Sequence, residues 1–228
     1  YKEKGIKLST VGFGQGNYKD TMMEQLADHG AGNYSYIDGE QQAQRVFSEQ
    51  VNGLLQVVAK DVKVQVEWDP AAVASYRLIG YENRDIADKD FRNDKVDAGE
   101  VGAGHSVTAL YDVVMKDTTR SPLTVRLRSK APDAKTTDGA VETAFQMSPK
   151  DIAASFEKAP QNFRFAAAVG ELAEILRQSP AAAGVTLEDV VRVASEASDG
   201  SRDEKEFVEL ASMAEKLSPA KSVATVAR

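Results

Sequence analysis

The stretch Gly5–Asp38, GIKLSTVGFGQGNYKDTMMEQLADHGAGNYSYID, decides how the fold is read. Ile6, Leu8, Val11 and Phe13 make a short apolar strand that runs out among Gly12, Gly14 and Gly16. Asn17 stands where a helix cap is needed, with Asp20 three residues later in a capping-box position. Met22, Met23, Leu26 and Ala27 share one helical face, which His29-Gly30 closes. Tyr34, Tyr36 and Ile37 form the next strand. Ala43, Val46, Phe47, Val51, Leu54, Leu55 and Val58 then fall at the spacing of an amphipathic helix over 41–59. A β-α-β-α order predicts two parallel, neighbouring strands. No natural N-terminal signal precedes the first strand, so the chain is expected to open inside an α/β domain.

Beyond Lys60-Asp61 the period changes from 3.6 to 2. Val62, Val64, Val66 and Trp68 alternate with Lys63, Gln65, Glu67 and Asp69, which predicts a strand with one buried and one wet face. Further strands are expected from Val73 to about Tyr81, and over Ser106–Met115, Leu123–Lys130 and Val141–Met147. In the fourth of the set Leu123, Val125 and Leu127 point one way, and Arg126, Arg128 and Lys130 outward. Short strands with polar turns suggest an antiparallel sandwich. Three helices follow. Gln161–Gln178 carries Phe165, Val169, Leu172 and Leu176; Thr186 with Asp189 opens the second; Ser201 with Glu204 opens the third as a capping box. The expected class is therefore α+β: a truncated, Rossmann-like α/β tail over 1–60, a β-sandwich over 61–148, a helical subdomain over 149–219 and a tail over 220–228.

Composition narrows the function classes. The chain of 228 residues has a net charge of −7 and no basic stretch, which argues against a nucleic-acid partner. Its longest apolar run, Phe165–Ala173, contains Glu171 and is too short to span a bilayer. The absence of cysteine removes disulfides, thiol catalysis and cysteine metal sites.

Three stretches invite a catalytic or ligand reading. The turn Gly12–Gly16 with Asp38 at the end of the next strand suggests a dinucleotide site, but Asn17 stands where G-x-G-x-x-G needs its third glycine. The turn then uses glycine for backbone reasons alone. Asp85, Asp88, Asp90, Asp94, Asp97 and Glu100 suggest calcium. In an EF-hand register Arg92 would take the fifth ligand position and Gly99 the twelfth, and Arg84, Lys89, Arg92 and Lys95 oppose a cation. A solvated loop is the expectation there. His105 follows Gly102-Ala103-Gly104 with no partner for catalysis or metal binding, and His29 ends a distant helix. A ring hydrogen bond to the glycine turn is expected for His105.

Lys7–Asp38 resembles the last third of a von Willebrand factor type A (VWA) domain, in which a V-G-F-G strand leads to a helix containing M-E-x-L-A and then G-N-Y. That family has a doubly wound sheet with a metal-ion-dependent adhesion site. Its Asp-x-Ser-x-Ser loop, threonine and aspartate all precede the strand with which this chain begins. The resemblance thus assigns no catalytic, cofactor or metal residue here, and a divalent cation such as magnesium would require the missing half. Arg77–Arg84 (RLIGYENR), Asp97–Val113 (DAGEVGAGHSVTALYDV) and Phe163–Val169 (FRFAAAV) are similar to the region that follows the VWA domain in bacterial lipoproteins of the YfbK type.

The resemblance implies a non-enzymatic binding or scaffolding protein of the cell envelope, on the periplasmic side, with a protein partner and a lipid anchor outside this chain. The alternative is an enzyme, with a nucleotide at Gly12–Gly16 or a hydrolase around His105. A sheet cut to two strands exposes its edge, so either a second copy pairs there or the helix over 41–59 packs elsewhere.

Overall fold

A computed structural model describes residues 7–14, 19–49, 56–80, 86–94, 96, 98–135 and 138–218. The chain is a mixed α+β protein. It divides into two compact units, one of 1–69, 85–108 and 121–147, the other of 70–84, 109–120 and 148–228.

In the first unit β1 (Leu8–Phe13) and β2 (Ala31–Ile37) pair in parallel, Val11 beside Ser35, as the β-α-β order predicts. Helix α1 (Asp20–His29) makes the crossover, and the Thr10 hydroxyl donates to Met23 O at 2.8 Å to hold it. The connection is tight enough that a Cβ on Gly32 would stand 2.1 Å from Leu8 O, so only glycine fits there. Lys19 occupies the N-cap without a side-chain bond. Asn17 lies outside the described residues.

The helix expected over 41–59 is not one helix. α2 (Glu40–Gln44) runs into a π-helical turn over Arg45–Glu49, and Val57–Ala59 already belong to strand β3 (Val57–Trp68). The cause is tertiary: Val57 and Ala59 lie opposite Gly102 and Val101 of β5 (Gly99–Gly102), and β-branched residues accept a ladder readily.

β3 is central to an antiparallel sheet ordered β5-β3-β7-β8, with β7 Leu123–Lys130 and β8 Val141–Gln146. Facing residues share a side of the sheet. One side carries Val64, Leu127 and Thr143 in one row, and Val66, Val125 and Phe145 in the next. The other carries Lys63, Arg128 and Glu142, then Gln65, Arg126 and Ala144.

The second unit joins an antiparallel pair, β4 (Val73–Ile79) and β6 (Leu110–Met115), to helices α3 (Gln161–Leu176), α4 (Leu187–Ala197) and α5 (Arg202–Leu217). This corrects the single sandwich, because β4 and β6 share a unit with the helices. A two-stranded ribbon is marginal alone and needs an apolar partner. Here Leu110 and Ile79 seat on α3 at Gly170, where a Cβ would come within 3.1 Å of Leu110 Cδ1.

The helices bury Ala168, Leu172, Val190, Ala194 and Ala211, with Phe165 edge-on to Phe207 at 5.3 Å. The Thr186–Asp189 capping box forms as expected. At Ser201 it does not: the Ser201 side chain caps nothing, and the Glu204 carboxylate accepts from the Asp199 N–H instead.

Candidate functional site

The four-stranded sheet is turned inside out. Its charged side is the covered one: Lys63 is 3%, Lys130 7% and Arg128 8% exposed. The covering is a strap over 86–94 whose Phe91 is buried. Two expectations fall here, since Arg128 and Lys130 do not point to solvent and this loop is not simply solvated. The strap supplies what buried cations require. Arg128 donates to Asp94 Oδ1 at 2.8 Å and to Phe91 O at 3.3 Å, and the Lys63 ammonium donates to Asn93 O at 2.8 Å. Asp61 Oδ2 lies 3.4 Å from the Lys130 ammonium and Asp61 Oδ1 3.4 Å from that of Lys63.

Asp61 reaches both lysines from an irregularity in the β3–β7 register, where its φ of 51° is left-handed. Aspartate tolerates that region better than most residues. Nearer the rim, Arg92 grips both oxygens of Glu142 at 2.8 and 2.9 Å, and Arg126 adds a third contact at 3.3 Å. The Arg92 hydrogen bond and charge, seconded by Arg126, hold the Glu142 carboxyl below the ordinary glutamate range.

The strap's acids are therefore occupied by protein groups. Asp88 accepts from Gln65 at 3.2 Å, Asp90 from Asn93 at 2.9 Å and Asp94 from Arg128. That arrangement differs from a calcium loop, whose carboxylates converge on one point. Asp85, Lys95 and Asp97 lie outside the described residues.

The opposite side of the sheet is apolar and open. Val64 is 60%, Val141 70% and Phe145 57% exposed, and Val66, Trp68, Leu123, Val125 and Leu127 are half-buried on the same side. Among the described residues of these rows no charged side chain interrupts it.

The other sequence candidates do not converge. Gly14 is left-handed and its carbonyl accepts from the Tyr36 hydroxyl at 2.6 Å, while Asp38 is exposed. Gly16 and Asn17 lie outside the described residues. His105 is exposed, and its backbone N–H, rather than its ring, bonds the turn at Gly102 O, 3.1 Å away. His29 Nδ1 sits 2.7 Å from Gln25 O, one helical turn back.

The second unit holds a charge cluster that sequence reading missed. Arg77 of β4 donates to Glu174 Oε2 at 3.0 Å and lies 3.7 Å from Asp112. Glu174 is buried; a hydrogen bond from Ser179, then Arg77 and Arg177, lower its pKa. Burial, with Glu174 and Asp112 nearby, raises that of Glu171. Opposite charges on β4 and α3 were visible only as scattered residues, 97 positions apart.

A two-unit α+β domain that straps its charged sheet face and bares its apolar one is the class these features define. The chain belongs to the family described as "Uncharacterized protein YfbK, C-terminal", whose model matches residues 53–217. That match contains all three stretches that carried the YfbK resemblance. "Uncharacterized protein YfbK" of Escherichia coli (strain K12) is 48% identical over 114 residues, which is 50% of this chain and 20% of that protein. The chain thus matches about a fifth of the length of this curated relative. A solved structure, "von Willebrand factor type A from Catenulispora acidiphila", is similar with a TM-score of 0.40 and 14% identity, over 88% of this chain and 49% of that one. Family membership rests on the family match over residues 53–217, not on this last likeness.

Proposed function

We propose that the chain belongs to a non-enzymatic protein-binding or scaffolding protein of the bacterial cell envelope, and that the bare face of the four-stranded sheet is its docking surface. The observation that carries this reading is the exposure of Val64, Val141 and Phe145 on a charge-free face. Exposed apolar surface that is contiguous marks a contact site, and depletion of charge with an aromatic anchor is the composition of an interface core. The occupant is another protein's apolar surface. An anionic lipid surface would call for lysine or arginine beside the apolar residues, and in these strands Lys63, Arg126, Arg128 and Lys130 all lie on the strapped side. The envelope location follows the family resemblance.

The experiment is capture from envelope fractions with the chain and with Val64→Lys. A specific partner retained by the native chain and lost by the variant, with circular dichroism unchanged, is the expected result. Equal capture by both removes the docking face from the account. Fractionation of the full-length protein tests the location, and recovery in the cytosol would contradict it.

A further inference from the structure

Among the described residues β8 is an edge strand that carries no lysine, proline or bulge. It reads VETAFQ over Val141–Gln146, pairs with β7 without irregularity, and five of its six residues are exposed. Edge strands that stay alone carry lysine, proline or a bulge, or are kept very short. β5, at the other edge of this sheet, shows two of these devices: it is four residues long, begins and ends in glycine, and pairs irregularly with β3. β8 has no lysine and no proline. Its one charge, Glu142, points to the strapped side and is held by Arg92 and Arg126.

We propose that β8 pairs antiparallel with β8 of a second copy, about a two-fold axis through Thr143. A strand pairing with itself must place equivalent residues on the same side of the joined sheet, and this leaves few registers. Centred on Thr143, the bare side gains Val141 against Phe145, Thr143 against Thr143, and Phe145 against Val141. Aromatic with β-branched and threonine with threonine are both favourable cross-strand pairs. On the strapped side the same register sets Glu142 against Ala144. Sliding by one pair toward Glu142 would put two like charges face to face. The joined sheet has eight strands and one continuous apolar side, which doubles the docking surface; the pairing itself depends on the edge and not on the docking reading. A six-residue edge covers less than the roughly 800 Å² per partner of a standard interface, so the dimer is reversible and concentration-dependent.

Sedimentation of the native chain from micromolar to millimolar concentration should show the mass rising from monomer towards dimer and stopping there. Val141→Lys with Phe145→Lys, both at exposed positions, should keep the circular dichroism spectrum and stay monomeric. The chain has no native cysteine, so a single one reports the register cleanly. Residues directly opposed sit about 4.5–5.5 Å apart at Cα, within disulfide reach. Thr143→Cys should therefore oxidise to a cross-linked dimer, while in Val141→Cys the two thiols start about 14 Å apart and lag well behind. A monomer at millimolar concentration, growth beyond a dimer, a dimer that survives the lysine pair, or equal cross-linking at 141 and 143 would each overturn the proposal. Val64 is not in β8, so loss of capture by Val64→Lys and loss of this pairing are separate results.

Discussion

The helical half and the strapped sheet obey opposite patterns. Helices α3 to α5 bury Leu172, Val190, Ala194 and Ala211 and turn most of their polar residues out, with Glu174, paired to Arg77, the buried exception. The sheet of β3, β7 and β8 buries Lys63, Arg128 and Lys130 and turns Val64 and Phe145 out. Alternation along a strand defines two sides but does not say which one is covered. In the helices the apolar stripe has no rival; in the sheet a nearby segment with matching charge covers the polar side first.

Removing one member of the buried charge cluster is the most damaging test of this contrast. Asp61→Asn keeps a side chain that tolerates the left-handed backbone but leaves Lys63 and Lys130 without their shared carboxylate, and it should destabilise the first unit by about 3–5 kcal/mol in urea unfolding. Leu172→Ala in the helical core belongs just below, at about 2–4 kcal/mol. If Leu172→Ala were silent, the helical half would not be the ordinary core described here. Loss of the Thr186 cap in Thr186→Ala should cost about 1 kcal/mol. Val64→Lys should change stability by less than about 0.5 kcal/mol, because that side of the sheet is already wet. A large loss on Val64→Lys would mean that the bare face is covered.

The charge pair of the second unit adds a pH signature with two limbs. Glu171 has a raised folded pKa, so it weakens the unit at neutral pH and stability rises as pH falls through that pKa. Glu174 has a lowered folded pKa, so its contribution is present above the ordinary glutamate value and is lost as pH falls further, through its own folded pKa. The thermal midpoint should pass through a maximum in mildly acidic solution. Glu171→Gln should lift the neutral limb and flatten the rise; an unchanged profile would remove Glu171 from the cluster.

Local chemistry in the sequence was legible wherever neighbours in sequence are neighbours in space. β7 spans Leu123–Lys130 as the alternation predicts, α4 opens on the Thr186–Asp189 box, and Gly30 ends α1. A glycine turn after β1 calls for a left-handed backbone, and Gly14 adopts one. What failed depends on distant partners. Val57–Ala59 carry a helical spacing yet join β3, because β5 offers a ladder some forty residues away. Arg128 meets Asp94 across 34 positions, and no period along either segment reports that meeting. One clue was present: bases at Lys63, Arg128 and Lys130, and acids interleaved over 85–97, are complementary when the two segments are compared rather than read singly.

Carbene footprinting of the native chain, read residue by residue by mass spectrometry, tests most directly which way the sheet faces. The account predicts heavy labelling at Val64, Val141 and Phe145 at low protein concentration, with Lys63, Arg128 and Lys130 protected. Strong labelling of the three basic residues, with the valines and Phe145 shielded, would contradict it.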